Sequence, residues 1–193
     1  MTSEIYIIGA GGLGCEIAAA LLNTELKSKF RLIGFIDDNL KTDTLINDIP
    51  VIGNIDWLSR QQNVNAIIAL GNPALRKKIA DKLSNARIDF ATIIHPGASL
   101  HGSNHIKIGK GTYIADGCIL TTNISIAEHN LILSGARLSH DTIIADFCTL
   151  MPGILISSGA TIASNVFIGT GTIIAKQQQI SSNTIIPAGS VLI

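Results

Sequence analysis

The chain has 193 residues, 47% of them hydrophobic and only 15% charged, a balance that excludes a disordered segment and allows one large domain or two small ones. Fourteen basic residues offset fourteen acidic ones, so no net field draws the chain to nucleic acid or to an anionic membrane. Aromatic residues make up 4%, which leaves an aliphatic core, and the three scattered cysteines (Cys15, Cys118 and Cys148) form no CxxC pair and read as small buried hydrophobes in a reducing cytoplasm.

The opening MTSEIYIIGAGG has no basic stretch ahead of an apolar one, so no signal peptide is expected. No run reaches the roughly 18 apolar residues of a membrane span. Ile5–Ile8 reads as a buried strand, followed by the glycine turn Gly9-Ala10-Gly11-Gly12-Leu13-Gly14 and a helical stretch over Cys15–Leu22. Leu32–Ile36 is a second strand ending at Asp37-Asp38-Asn39, and Ala66–Leu70 a third ending at Gly71-Asn72. Pro73 suits the first turn of a helix running to about Ser84, and Phe90–Ile94 is a fourth strand leading to His95-Pro96. Strands alternating with helices imply a parallel sheet covered on both faces, so residues 1–95 are expected to form a Rossmann-like α/β unit. Gly9-x-Gly11-x-x-Gly14 satisfies the dinucleotide fingerprint, with Asp37 placed to hold a ribose. About 95 residues hold only half of a full dinucleotide fold. The turn is therefore open to three readings: a sugar nucleotide, NAD, or a purely structural turn.

From Ile108 to Leu192 every sixth residue is Ile or Leu, fifteen in succession. The residue after each is often small (Gly109, Ala115, Ala127, Ser139), and so is the residue two before it (Thr112, Cys118, Ala136, Cys148). No helical or simple strand period gives a sustained six. A six-residue unit of one short strand and one corner stacks three to a coil of 18 residues, with the aliphatic side chain inward. Fifteen units make five coils, roughly 24 Å tall at about 4.8 Å per coil, and each buried Ile or Leu contributes about 1.5–3 kcal/mol. The second domain is expected over 96–193.

This order of parts, with IIGAGGLG, FIDDN and IALGNPALRKKI ahead of HPGA and an uninterrupted hexapeptide prism, resembles the sialic acid O-acetyltransferase and bacillosamine-pathway N-acetyltransferase family over nearly the whole chain. The resemblance implies a left-handed parallel β-helix, a cytoplasmic homotrimer, acetyl-CoA as co-substrate and no metal. It also implies N-acetylation of a UDP-linked 4-amino-4,6-dideoxy sugar in bacterial glycan synthesis. The sugar nucleotide is then held by Gly11, Gly12, Leu13, Asp37, Asp38, Asn39, Gly71 and Asn72. In SGARLSHDTIIADFCTLMPG the family's histidine and acid fall on His140 and Asp141, and its Asp-Phe pair on Asp146-Phe147. His140 stands two places after Leu138, out of the core and at a corner facing a neighbouring subunit, where it suits a general base. Asp141 is expected to fix its tautomer or to contact the sugar. Acetyl-CoA contacts are implied at Thr149, Ser158, Thr170 and Ala188, with the backbone N–H near Ser158 polarising the thioester carbonyl.

Several positions depart from the family. Thr149 replaces a frequent second histidine and keeps only a hydroxyl for the thioester, and Leu13 replaces a histidine of the glycine turn. The sequence stops at Ile193, where the family continues into a Gly-x-Pro-Ala-Lys tail; the tail is either naturally missing or cut away, and weaker acetyl-CoA binding is expected only in the first case. The remaining histidines are expected to be structural (His95), in an irregular non-helical turn that makes no metal pair (His101, His105), and solvated on an outer position (His129). Two other functions stay open: O-acetylation of a sialic-acid-like sugar, and a non-catalytic sugar-nucleotide-binding scaffold.

Overall fold

A computed structural model describes residues 2–193, which divide into two compact units: one of residues up to Gly71 with Leu75–Ala91, the other of Asn72–Ala74 with Thr92–Ile193. Among the described residues no helix is long and apolar enough to cross a membrane.

In the first unit the apolar runs pair as parallel strands. These are β1 (Ser3–Ile8), β2 (Phe30–Ile36), β4 (Ile49–Gly53), β5 (Gln62–Ile68) and β6 (Arg87–Phe90), ordered β4-β2-β1-β5-β6, with the two-residue β3 (Leu45–Ile46) antiparallel on the β4 edge. Helices α1 (Gly12–Asn23), α2 (Ile55–Leu58) and α3 (Pro73–Lys82) complete it. Ile5, Ile7, Phe35, Ile36, Ile67 and Ile68 are fully buried, as expected for a parallel sheet with both faces covered. No element is expected from sequence between Asn39 and Ala66, yet β3, β4 and α2 lie there. Their hairpin turns on Asn47 and Asp48, both in the left-handed region (φ 48° and 64°), a signal carried by backbone conformation rather than by hydrophobic period. The expected fourth strand, Phe90–Ile94, is split. Its first part ends β6, and Ile93–Ile94 pairs with Tyr113–Ile114 in the second unit.

The second unit is a prism of three parallel sheets of six, six and five two- to three-residue strands. Within it, strands 18 residues apart pair in register, as in Ile114 with Ile132 and Ile132 with Leu150. The prism starts one coil earlier than the sixfold repeat shows, because that coil pairs at a spacing of 20: Ile94 with Ile114 and Leu100 with Leu120. Two extra residues sit between Leu100 and Ile106, where Ser103–His105 make one turn of 3₁₀ helix, so the segment expected to be irregular is locally helical. Stepping back by six from Ile108 lands on Gly102 and hides the first coil.

Each six-residue unit must turn through about a third of a circle, and one residue per unit does so in the left-handed region. Residues 111, 117, 123, 129, 135, 141, 147, 153, 159, 165, 171, 177, 183 and 189 all have positive φ. Seven are glycine, and Asn123, Asn165, Asn183 and Asp141 belong to the other types that tolerate it. The exceptions are instructive. His129 and Phe147, one coil apart, stack with ring centroids 4.9 Å apart and planes 5° from parallel. His129 is therefore buried (4% exposed), not solvated as expected. A Cβ on Gly111, one coil above, would lie 2.4 Å from His129 Nδ1. The Asp146 carboxylate accepts the Glu128 N–H (2.8 Å), so Asp146 and Phe147 of the sequence signature brace this corner.

Gly111→Ala should thus destabilise the protein more than Gly135→Ala. Both carry left-handed strain of about 1–2 kcal/mol, but a Cβ at Gly135 meets nothing within 4 Å. Equal losses in thermal unfolding midpoint would show that the ring stack yields freely.

Candidate active site

In a parallel sheet the crevice outside the carboxyl ends of the strands, where the winding reverses, is the place for a ligand. Here β1 lies between β2 and β5, and their carboxyl ends open into a cleft of about 130 Å³ lined by Gly9, Asp37, Asp38, Asn39, Ile55, Leu70, Leu75 and neighbouring isoleucines. The glycines divide by role. Gly9 has φ 104°, and a Cβ there would lie 2.9 Å from Leu70 Cδ2, so it serves the turn beside the end of β5; a Cβ on Gly14 would lie 2.1 Å from the Gly9 carbonyl, so Gly14 serves the close packing of α1 on β1. Gly11 and Gly12 face open space, at the helix N-terminus whose free N–H groups suit an anion.

Asp37, Asp38 and Asn39 line the cleft as expected, but the two carboxylates already hold backbone. Asp37 accepts the Ala10 N–H (3.0 Å) and the Asn39 N–H (2.9 Å), strapping the glycine turn to the end of β2, while Asp38 accepts the Ile55 N–H (2.8 Å). Gly71 and Asn72 directly follow the lining residue Leu70 in the chain. Sequence reasoning missed Arg76. It is fully buried, and its guanidinium donates to the carbonyls of Leu70 (2.5 Å) and Gly71 (3.5 Å), fixing the turn at the cleft edge. Its register with buried Pro73 and Ala80 on α3 was the available signal.

The prism supplies the titratable pair. His140 Nδ1 lies 2.7 Å from Asp141 Oδ2, both side chains more than half exposed. An ionised carboxylate only accepts, so Nδ1 carries the proton and Nε2 keeps its lone pair turned away from the acid. Asp141 is the left-handed corner residue (φ 63°), which folds its short side chain back toward the preceding histidine. Hydrogen bonds from His140, and then from Asn123 (3.2 Å to Oδ1), hold the Asp141 carboxyl below the ordinary carboxylate range. Burial, by contrast, pushes the Cys118 thiol up to about 11, away from a reactive thiolate.

The four residues expected at acetyl-CoA fall in three places. Ser158 lies in the same corner as His140, one coil on. Exposed Thr170 and Ala188 are stacked one coil apart at the opposite edge of the sheet that carries Leu155, Ile173 and Val191. Thr149 differs from expectation: it is fully buried, so its hydroxyl presents no surface to a thioester.

Comparison with known proteins matches residues 4–83 to the PglD N-terminal domain family. The UDP-N-acetylbacillosamine N-acetyltransferase of Bacillus subtilis (strain 168) is 31% identical over 122 residues, covering 58% of this chain; the chain spans about half the length of that curated relative. The acetyltransferase domain of PglB from Neisseria gonorrhoeae FA1090 superposes with a TM-score of 0.89 at 24% identity, covering 100% of this chain and 92% of that one. A mutant perosamine N-acetyltransferase from Caulobacter crescentus, in complex with CoA and GDP-perosamine, also gives 0.89 at 23% identity, covering 100% and 90%. Residues 4–83 thus match the PglD N-terminal domain, and over its whole length the chain shares the fold of the PglB acetyltransferase domain, a Rossmann-like unit followed by a left-handed parallel β-helix.

Proposed function

We propose that this protein transfers the acetyl group of acetyl-CoA to the amine of a nucleotide-linked 4-amino-4,6-dideoxy sugar, with His140 as general base, in the cytoplasm of a cell that builds glycans. The observation that carries the reading is the 2.7 Å contact between His140 Nδ1 and Asp141, which leaves Nε2 as the acceptor of a proton. The amine nitrogen attacks the thioester carbonyl carbon, the new C–N bond forms and the C–S bond breaks. The proton leaving nitrogen goes to His140 Nε2 and then to the departing sulfur, giving the amide and free coenzyme A. The backbone N–H near Ser158, one coil from the base, is the proposed donor to the carbonyl oxygen as negative charge develops there. Nucleotide recognition falls to the glycine turn and the strand ends: the anionic diphosphate at Gly11, Gly12 and Leu13 on the α1 N-terminus, and the ribose or sugar hydroxyls at Asp37, Asp38, Asn39, Gly71 and Asn72. The relatives support this reading. The matched Bacillus enzyme is named for N-acetylation of a UDP-linked amino sugar, and the PglB domain has also been solved in complex with acetyl coenzyme A.

We further propose a homotrimer. Thr170 and Ala188 lie at the opposite sheet edge from His140 and Ser158, so one acetyl-CoA can touch both sets where the edge of one copy meets that of the next. The sheet between those edges exposes Leu155, Ile173 and Val191 (42%, 40% and 60%), an apolar ladder suited to another copy of the chain.

Coenzyme A thiol release should appear with a UDP-4-amino-4,6-dideoxy sugar and not with free sialic acid or without acceptor; release with sialic acid alone would make the chain an O-acetyltransferase. His140→Ala should lower kcat/KM by about a hundredfold or more, and a loss below about threefold would place the base elsewhere. Because the Asp141 carboxyl is held low, first by the His140 hydrogen bond and then by that from Asn123, it stays ionised as acidity rises through the ordinary carboxylate range. The pH profile of kcat/KM should therefore show no step from Asp141 in that range, and a step there that vanishes in Asp141→Asn would show that the carboxyl is not held. Light scattering should give three times 20.3 kDa; a clean monomer would remove the shared coenzyme site.

A further inference from the structure

One coil of the prism is 18 residues, so the corner residues Asn123, Asp141 and Gly159 stand in a column, and their neighbours Thr122, His140 and Ser158 in another. Asn123 and Asp141 share the left-handed conformation (φ 54° and 63°). That shared geometry turns both short side chains the same way, and Asn123 Nδ2 donates to Asp141 Oδ1 at 3.2 Å. The other oxygen, Oδ2, receives His140 Nδ1–H. The carboxylate is thus held at both ends, by an amide from the coil before and by the imidazole from its own coil. The same device recurs at another corner, where Asn165 Nδ2 donates to Asn183 Oδ1 at 2.6 Å, again 18 residues apart. There no histidine adjoins it, so the pairing is a property of the column and not a by-product of the imidazole.

We propose that Asn123 is a positioning residue for the transfer: it anchors one oxygen of Asp141 so that the other fixes His140 as the Nδ1–H tautomer. This rests on the reading of His140 as the base. Untethered, the Asp141 side chain swings into solvent, and His140 loses both its orientation and its tautomer bias. Other charged groups of these columns lie farther off: Lys176 two coils beyond His140, and His105 and Lys107 in the first coil. None replaces the amide.

Asn123→Gly is the discriminating variant, because glycine accepts the left-handed corner, as Gly159 does at φ 72°. The full-length variant should keep the wild-type melting temperature and both KM values, while kcat falls about fivefold, the worth of one hydrogen bond. In an Asp141→Asn background the same change should cost less than about twofold, since Asn123 acts only through the carboxylate. Nitrogen-15 NMR of the neutral His140 ring should show a smaller share of Nδ1–H tautomer in Asn123→Gly than in wild type, with no substrate present. An equal kinetic loss in both backgrounds, or an unchanged tautomer share, overturns the proposal. If wild type turns over no amino sugar, the functional reading fails separately, and the NMR comparison still decides the role of Asn123.

Discussion

A chain that bends every six residues and returns to the same azimuth every eighteen must spend one residue per bend in the left-handed region, where most side chains are disfavoured by about 1–2 kcal/mol. Fourteen bends in succession obey this. The aliphatic stack inside the prism supplies the offset, with Ile114, Ile132, Leu150 and Ile168 all wholly buried in one row. Everything functional on the prism is arranged around that corner rule. The dyad exists because an aspartate occupies a bend directly after a histidine, and the bend turns its carboxylate back onto the ring.

The rule also separates three kinds of corner. At Gly117, Gly135, Gly153, Gly171 and Gly189 the edge carries no side chain, and a Cβ there meets no heavy atom closer than 3.7 Å. At Gly111, His129 and Phe147 the edge is filled by stacked rings, and glycine at the first position is required by the ring below it. The third corner is polar and carries Asn123, His140-Asp141 and Ser158. One backbone geometry therefore yields a bare edge, a packed edge and a chemical edge, chosen by which residue types take the bend.

The period of six was legible because the inward column admits only aliphatic side chains. The column of bends was equally regular and went unread, since Gly, Asn, Asp, His, Phe and Gln share a backbone conformation and not a hydropathy. The same blindness put His129 on the surface: its outward hexad position was correct, and the ring stack that buries it depends on Phe147, eighteen residues away. The first coil was hidden by two inserted residues that shift its register from 18 to 20. His140 and Asp141 were found through the resemblance, while Asn123 was not, because its part in the site is set by coil height and not by nearness in the chain. In the first unit the glycine turn was visible, but the bonds from Asp37 and Asp38 to backbone N–H groups are long-range, and only the fold displays them.

Why an aspartate and an asparagine, and not their longer homologues, hold this corner follows from the same constraint. Asn and Asp are enriched in the left-handed region because a short polar side chain can satisfy itself on nearby groups, which Glu and Gln do less well. Shortness also fixes the reach. From Cβ, one carboxylate spans to the ring of the residue before it and to an amide one strand spacing away, about 4.8 Å, and to little else. Glutamate would bring a further rotatable bond, hence more freedom to lose for the same two contacts. The corner that bends the chain therefore also limits the acid beside His140 to a side chain with a single useful orientation.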